Sequence, residues 1–433
     1  MKFIYSIAGK VFKTDLFKVS AWTSLSTFMR MLSGFVSIKV AANLIGPSGI
    51  ALVGHFVNVI NIVTTLGTGG IGVGVTKYVA EYYDEPDKQS SILAHSLRIT
   101  LLCSLIMSVF LIVFSRSLGH YIFQTYEYTE LIVFFGITVT LYALNALFLS
   151  ILNGFKSYKK FVILNIILSA VTLAISVSLV YFLGVYGALL NCILSQSLVV
   201  VITFLYLKNE SWVRHLYSKI EWDSEVIKKL AGFAGIVFTS AILAPLSQLI
   251  VRKYISESLS TDTAGIWESM NRLSSMYLVF ITSTLSVFYL PKLAEIKDAL
   301  GLRLEILKTL KMLTPVMFFI CLTIYFLRGY VISIVFSKEF MSMYNLFAIQ
   351  LTGDFLKITI WIISYQLIAK AMIKKFIATE IIFHVLFVLF SILGCYYGGI
   401  YYCILFGYTF TYLVYSLMII YLFRKTLFLP QTP

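Results

Sequence analysis

The sequence predicts an all-α polytopic membrane protein, with about twelve transmembrane helices in two pseudo-symmetric six-helix bundles. Three observations carry that fold class. Charged residues are only 12% of the chain against 59% hydrophobic ones, apolar runs of span length recur from end to end, and Lys and Arg fall mostly into alternate loops. A soluble domain carries roughly 25% charged residues on its surface, so water is not the solvent for most of these 433 residues. One crossing of roughly 30 Å of hydrocarbon takes about 20 apolar residues, and a mean hydropathy of +0.90 fits a chain built largely from such segments.

In order, the apolar runs lie at 19–41, 50–75, 92–115, 130–153, 161–183, 186–207, 230–254, 264–290, 309–327, 343–369, 376–396 and 399–423. Ahead of the first, Phe3, Ile4, Ile7, Val11 and Phe12 share a helical face while Lys2, Lys10 and Lys13 reach headgroups, the pattern of a short interfacial helix. No cleavable signal is expected, because the run that follows is longer than a signal core and carries Arg30. With the N-terminus inside, 24 Lys and Arg lie in the inner loops and tails. Six lie in the outer loops: Lys39, Arg116, Arg252, Lys253, Arg328 and Lys338. Cytoplasmic loops are enriched in these residues, which places both termini in the cytoplasm. One missing span would scramble the alternation. The same bias accounts for most of the formal charge of +14, and no long basic run is left to suggest nucleic acid.

The halves repeat. Gly49-Ile50 opens the second run and Lys77, Ala80 and Glu81 close it, while Gly265-Ile266 opens the eighth and Lys292, Ala294 and Glu295 close that. Lys159-Lys160-Phe161 matches Lys374-Lys375-Phe376, and Gly187 with Cys192-Ile193-Leu194 matches Gly398 with Cys403-Ile404-Leu405. All offsets fall between 211 and 216 residues. Six is even, so both copies insert the same way round, as in transporters with a central path between halves. The expected organisation is a first bundle over 1–207, a cytoplasmic linker over 208–229 that acts as the joint, and a second bundle over 230–433.

Four basic residues remain well inside the spans: Arg30, Arg98, Arg272 and Lys357. A charge in hydrocarbon costs at least about 2.5 to 3.5 kcal/mol, so such side chains face a wet cavity or a partner. The acids at similar depth are Glu268, Asp354 and Glu380, with His384 one turn beyond the last. Glu268 with Arg272, and Asp354 with Lys357, are spaced to meet on one helix face. Glu380 with His384 is a titratable pair suited to carry a proton or to make a polar interhelical contact. Neutralised pairs that only hold helices together are the plain alternative, and Arg98 is also within reach of the cytoplasmic edge. The functional reading is a cationic cavity that receives an anion, since guanidinium stays charged and binds two phosphate oxygens at once.

Other chemistry is missing from the sequence. It has no nucleotide-binding glycine loop ending in Lys-Ser or Lys-Thr and no metal-ligand spacing, so no cofactor, metal or catalytic residue is expected. Gly67, Gly69, Gly70, Gly72 and Gly74 read as packing or as a flexible point within the second run. Cys103, Cys192, Cys321, Cys395 and Cys403 all lie in apolar runs and read as packing residues. The tyrosine clusters read first as an interfacial belt.

Over Gly74-Val75-Thr76-Lys77-Tyr78-Val79-Ala80-Glu81-Tyr82, Gly265-Ile266-Trp267-Glu268, Leu290-Pro291-Lys292-Leu293 and Gly353-Asp354-Phe355-Leu356-Lys357, the chain resembles the Wzx flippases of bacterial polysaccharide assembly. Within the superfamily of multidrug, oligosaccharidyl-lipid and polysaccharide exporters, it looks most like the branch containing the enterobacterial common antigen flippase. The resemblance implies two six-helix bundles around a V-shaped cationic cavity in the bacterial inner membrane. It implies as substrate an undecaprenyl-diphosphate-linked oligosaccharide repeat unit, flipped to the periplasmic leaflet for O-antigen or a related polymer. Membrane lipid around the polyprenyl tail, a polysaccharide polymerase and a chain-length regulator are the candidate partners. Arg30, Arg98, Arg272 and Lys357 are the candidate substrate-binding residues, with Glu268, Asp354, Glu380 and His384 as charge-pair or coupling residues. A cation-coupled multidrug exporter is the alternative, but such a protein wants acids in its cavity, and the first run carries Arg30 and no acid. A polymerase or ligase of the same pathway would need a large periplasmic loop, and the outer loops are short.

Overall fold

The computed structural model describes residues 15–155, 157–218, 222–232, 234–285, 289–296, 298–370 and 372–424. Among them every regular element is helical. The interfacial helix expected over residues 2–13 lies outside the described residues.

Among the described residues, seven helices are long and apolar enough to cross a membrane. Four are single spans: Pro86–Val113, Thr129–Gly154, Ala299–Val335 and Phe347–Ala369. Three others, Thr27–Gly67, Lys159–Leu207 and Ile373–Leu422, run to 41, 49 and 50 residues, roughly twice what one crossing uses. Each is broken at a glycine with left-handed backbone: Gly46 (φ 64°), Gly184 (φ 55°) and Gly399 (φ 67°). Residues with a Cβ are strained in that conformation, so these glycines end one helix and allow the next. At the second break the chain doubles back: a Cβ on Gly187 would lie 1.9 Å from the carbonyl oxygen of Leu179. Gly184 and Gly399 stand 215 residues apart, within the spacing of the sequence repeat.

Two further helices, Ala234–Ser258 and Thr261–Thr284, have the length for a crossing at 25 and 24 residues. Their apolar character is diluted by Arg252, Lys253 and Glu257 in the first and Glu268 and Arg272 in the second. With the three broken helices taken as pairs, the described residues hold twelve helical segments of spanning length, the number the sequence predicts. The chain is an all-α polytopic membrane protein. Several boundaries differ: the ninth run, read as 309–327, lies within the longer helix Ala299–Val335. The second segment stops at Gly67, and positive φ at Gly69 and Gly70 separates it from the short helix Gly72–Glu81. The tenth begins only at Phe347, after a 3-10 segment over Lys338–Asn345.

Side-chain caps fix several starts by accepting otherwise unpaired amides. The Asp223 carboxylate accepts from Glu225 N at 2.8 Å, Ser260 Oγ from Thr263 N at 3.0 Å and Asp298 from Gly301 N at 2.6 Å.

The chain forms two compact units, one of Val59–Ala241 with the first helix up to Val40, the other of Ala41–Asn58 with Ile242 onward. In the first, Val75 and Val79, Ile92 and Leu93, Leu147 and Ile151, and Val199 and Leu207 build the core, with Trp212 packed beside them. Asn145 and Thr203 share a buried hydrogen bond of 2.8 Å. In the second, Phe347–Ala369 is central, packing against Ala299–Val335, Leu290–Glu295, Thr261–Thr284 and Thr411–Leu422. Segment 41–58 joins this unit by close backbone approach, since a Cβ on Gly265 would lie 1.8 Å from the Pro47 carbonyl oxygen. Forcing a side chain into such a contact costs about 1–3 kcal/mol or more. Gly265→Val is therefore expected to lower the apparent melting temperature of detergent-purified protein and its folded yield, and an unchanged melting curve would refute the contact.

Candidate functional site

Glu268 and Arg272 meet as their spacing predicts, with Arg272 Nε donating to Glu268 Oε1 at 2.7 Å. The second carboxylate oxygen is taken by Arg252, which the loop count assigns to the outside. The structure corrects that assignment: Arg252 lies in the helix Ala234–Ser258 and is fully buried. Hairpin geometry is the reason. Arg252 and Glu268 each stand eight residues from Ser260, which caps the second helix of the pair, so they sit at the same level on neighbouring helices. Equal distance from a turn is a signal the sequence contains. The Asn58 amide oxygen, turned toward Arg252, accepts from both terminal nitrogens at 3.2 and 3.3 Å. The guanidinium also lies 5.5 Å from the Trp267 ring centroid. A Cβ on Gly54 would come within 2.8 Å of the Glu268 carboxyl carbon and 2.9 Å of the Arg252 guanidinium carbon, so glycine lets this helix lie across the pair. Arg272 is the open member, its side chain 25% exposed against 0% for Arg252 and 9% for Glu268.

Asp354 is fully buried and accepts from three hydroxyls, Ser274 at 2.8 Å, Tyr408 at 2.6 Å and Tyr277. Gln350 Nε2 donates to Ser274 Oγ at 3.0 Å and holds that hydroxyl in place. The expected ion pair with Lys357 does not form. Three donors already satisfy the carboxylate, and the Lys357 ammonium lies over Trp361 and Tyr412, 5.0 and 5.9 Å from the ring centroids. Spacing of three residues permits a contact without selecting it over better donors from other helices. Glu380 and His384 do meet, with His384 Nε2 3.7 Å from the carboxylate and Nδ1 2.9 Å from Ser247 Oγ.

In the first unit Arg30 is exposed and donates to Asn165 Oδ1 at 3.3 Å. Asn165 Nδ2 donates to the Phe161 carbonyl at 2.7 Å, which turns its oxygen toward the arginine. This partner is a neutral amide, which does not offset the arginine's positive charge. Arg98 is placed differently: it donates to the Ser218 carbonyl at 3.3 Å and lies 5.9 Å from the Trp222 ring. It grips the segment that the sequence reads as a linker. Ser90 and Ser218 hydroxyls lie 3.2 Å apart, and buried His95 accepts the Asp223 amide on Nε2 at 3.0 Å. His95 Nδ1 sits 2.8 Å from the Ser91 carbonyl and donates to it, which leaves Nε2 as the acceptor. Asp223 in turn caps the helix Ser224–Ala231. Nothing in the sequence marks this latch, because its members are 120 or more residues apart.

Residues 16–297 match the family described as polysaccharide biosynthesis protein. The chain belongs to that family. A protein named Lipid III flippase from Escherichia coli (strain K12), and another from Shigella flexneri, are each 30% identical over 368 residues, covering 85% of this chain and 88% of the relative. Among solved structures, the inward-facing conformation of a multidrug resistance MATE family transporter of the MOP superfamily matches with a TM-score of 0.76 at 16% identity, over 92% of this chain and 98% of that one. The outward-facing conformation of a transporter so described matches with 0.68 at 16% identity, over 96% and 98%. Identity this low shows a shared fold.

This polysaccharide biosynthesis family member thus holds three kinds of cation inside its spans: Arg30 on an amide, Lys357 against aromatic rings, and Arg272 on a carboxylate already claimed by Arg252. Arg252, Tyr277, Tyr408 and Ser274 are the participants that sequence reading missed. The latch is open to test. His95→Phe removes the acceptor of the partly buried Asp223 amide, a loss of about 0.5–1.5 kcal/mol. Limited proteolysis is expected to cut at 217–223 faster than in the wild type, and equal rates would refute the latch.

Proposed function

We propose that the chain is a flippase that carries undecaprenyl-diphosphate-linked oligosaccharide repeat units from the cytoplasmic to the periplasmic leaflet. It works by alternating access, sits in the bacterial inner membrane with both termini in the cytoplasm, and has no catalytic step. The observation that carries the reading is positive charge within the spans that no carboxylate fully neutralises: Arg30 on Asn165, Lys357 on Trp361 and Tyr412, and Arg272 sharing Glu268 with Arg252. A diphosphate crossing bare hydrocarbon meets a prohibitive desolvation barrier, and basic side chains along a hydrated path lower it. Two relatives named Lipid III flippase support the lipid-linked oligosaccharide as cargo. The likeness to multidrug transporters carries the fold alone and does not favour a drug exporter.

In this reading Arg30, Arg272 and Lys357 meet the headgroup, and Arg98 holds the linker. Asp354 is held among hydroxyl donors, and Glu380 with His384 is the coupling pair. A polysaccharide polymerase and a chain-length regulator act on the product. Deletion of the gene is expected to accumulate undecaprenyl-linked repeat units and abolish the surface polymer, measured by lipid extraction and glycan gel. Arg30→Ala or Lys357→Ala at normal protein level is expected to do the same. Unchanged polymer after deletion overturns the assignment.

A further inference from the structure

Arg252 belongs to none of the roles assigned so far, yet it is the largest fully buried side chain among the described residues. Its surroundings give it no access to a ligand. Glu268, Asn58, Gly54 and Trp267 enclose it. The group it controls is Arg272. That residue uses only Nε on Glu268, and its two terminal nitrogens make no hydrogen bond among the described residues. They form the edge of a guanidinium, the geometry that accepts a pair of phosphate oxygens.

An Arg272–Glu268 pair standing alone would be neutral. An anion approaching it would meet an attractive guanidinium and, just behind, a repulsive carboxylate that a low-dielectric interior screens poorly. Arg252 removes the second half of that field. With both carboxylate oxygens engaged, the three groups carry one net positive charge, and the exposed share of it belongs to Arg272. Glu268 also fixes the Arg272 side chain through Nε, so its open edge is presented in one orientation without the entropy loss of ordering a free arginine.

We propose that Arg252 is a positioning residue for anion recognition: by taking up the charge of Glu268 from the buried side, it leaves Arg272 as an oriented net cation for a diphosphate headgroup. The inference rests on the flippase reading for the identity of the anion. It predicts that a residue sealed from the ligand governs affinity through charge balance. The net charge of the trio is +1 in the wild type, zero in Arg252→Gln, +1 again in the double variant Arg252→Met with Glu268→Gln, and +2 in Glu268→Gln.

The test is binding of undecaprenyl diphosphate, with inorganic diphosphate as a second probe, to full-length protein in nanodiscs, scored only on folded, monodisperse material. Arg252→Gln is expected to weaken binding by about tenfold or more, and Arg252→Lys to keep it within about threefold. Glu268→Gln is expected to tighten it. The double variant replaces a buried ion pair by neutral groups, a change that is often tolerated, and keeps an oxygen at position 268 to accept from Arg272 Nε, so it is expected to bind within about threefold of the wild type. Folded Arg252→Gln that binds like the wild type overturns the proposal. Where Arg252→Gln yields no folded protein, loss of binding in the folded double variant overturns it instead. Failure of the wild type to bind undecaprenyl diphosphate strikes the flippase reading, whereas wild-type binding with the wrong order of variants strikes only this inference.

Discussion

The carboxylate of Glu268, held between two guanidinium groups, is the interaction on which the second unit is organised. Breaking one partner from a buried ion pair leaves an uncompensated charge and costs about 3–5 kcal/mol, so the neighbouring elements are constrained to preserve it. The cap at Ser260 sets the level at which Arg252 and Glu268 face each other. Gly54 allows a third helix to lie over the pair, and Asn58 on that helix supplies the acceptor. Segment 41–58 is thereby tied to residues that follow it by some two hundred positions.

Asp354 meets the same constraint by another route. Three hydroxyls and a supporting amide hold its carboxyl group with no cation in direct contact. Lys357, one turn along, is correspondingly not spent on it. An ammonium over aromatic faces gains on the order of 0.5–2 kcal/mol, enough to orient the side chain and too little to prevent exchange onto a stronger anion. One helix, Phe347–Ala369, thus carries a carboxyl group held by hydroxyls and a lysine held against aromatic rings within four residues. The two arrangements differ in what they leave for a ligand.

The fold was legible because hydropathy reports burial in lipid directly, and twelve runs in sequence become twelve helical segments. What hydropathy could not place was the end of a span where charge intrudes. Arg252 and Lys253 lower the hydropathy near the close of the seventh run, and so a buried guanidinium reads as a loop residue. Pairing by helix spacing succeeds at Glu268 with Arg272 and at Glu380 with His384, although Arg252 and Ser247 also reach these groups from elsewhere in the fold. It fails at Asp354, since Tyr277 and Tyr408 come from other helices and nothing local in the chain announces them. Arg98 shows a related limit: its partners lie in a segment 120 residues away whose folded path carries no local code.

The grouping of residues 41–58 with the later part of the chain has a bearing on how this protein can be re-engineered. A cut at the loop between the two sequence repeats would produce a second half stripped of the glycine and asparagine that seal its buried arginine, and water would enter where Gly54 now lies. Chimeras exchanging recognition properties with a relative must therefore transplant a discontinuous cassette, the later half together with eighteen residues from near the beginning, if the transplanted half is to keep its interior dry.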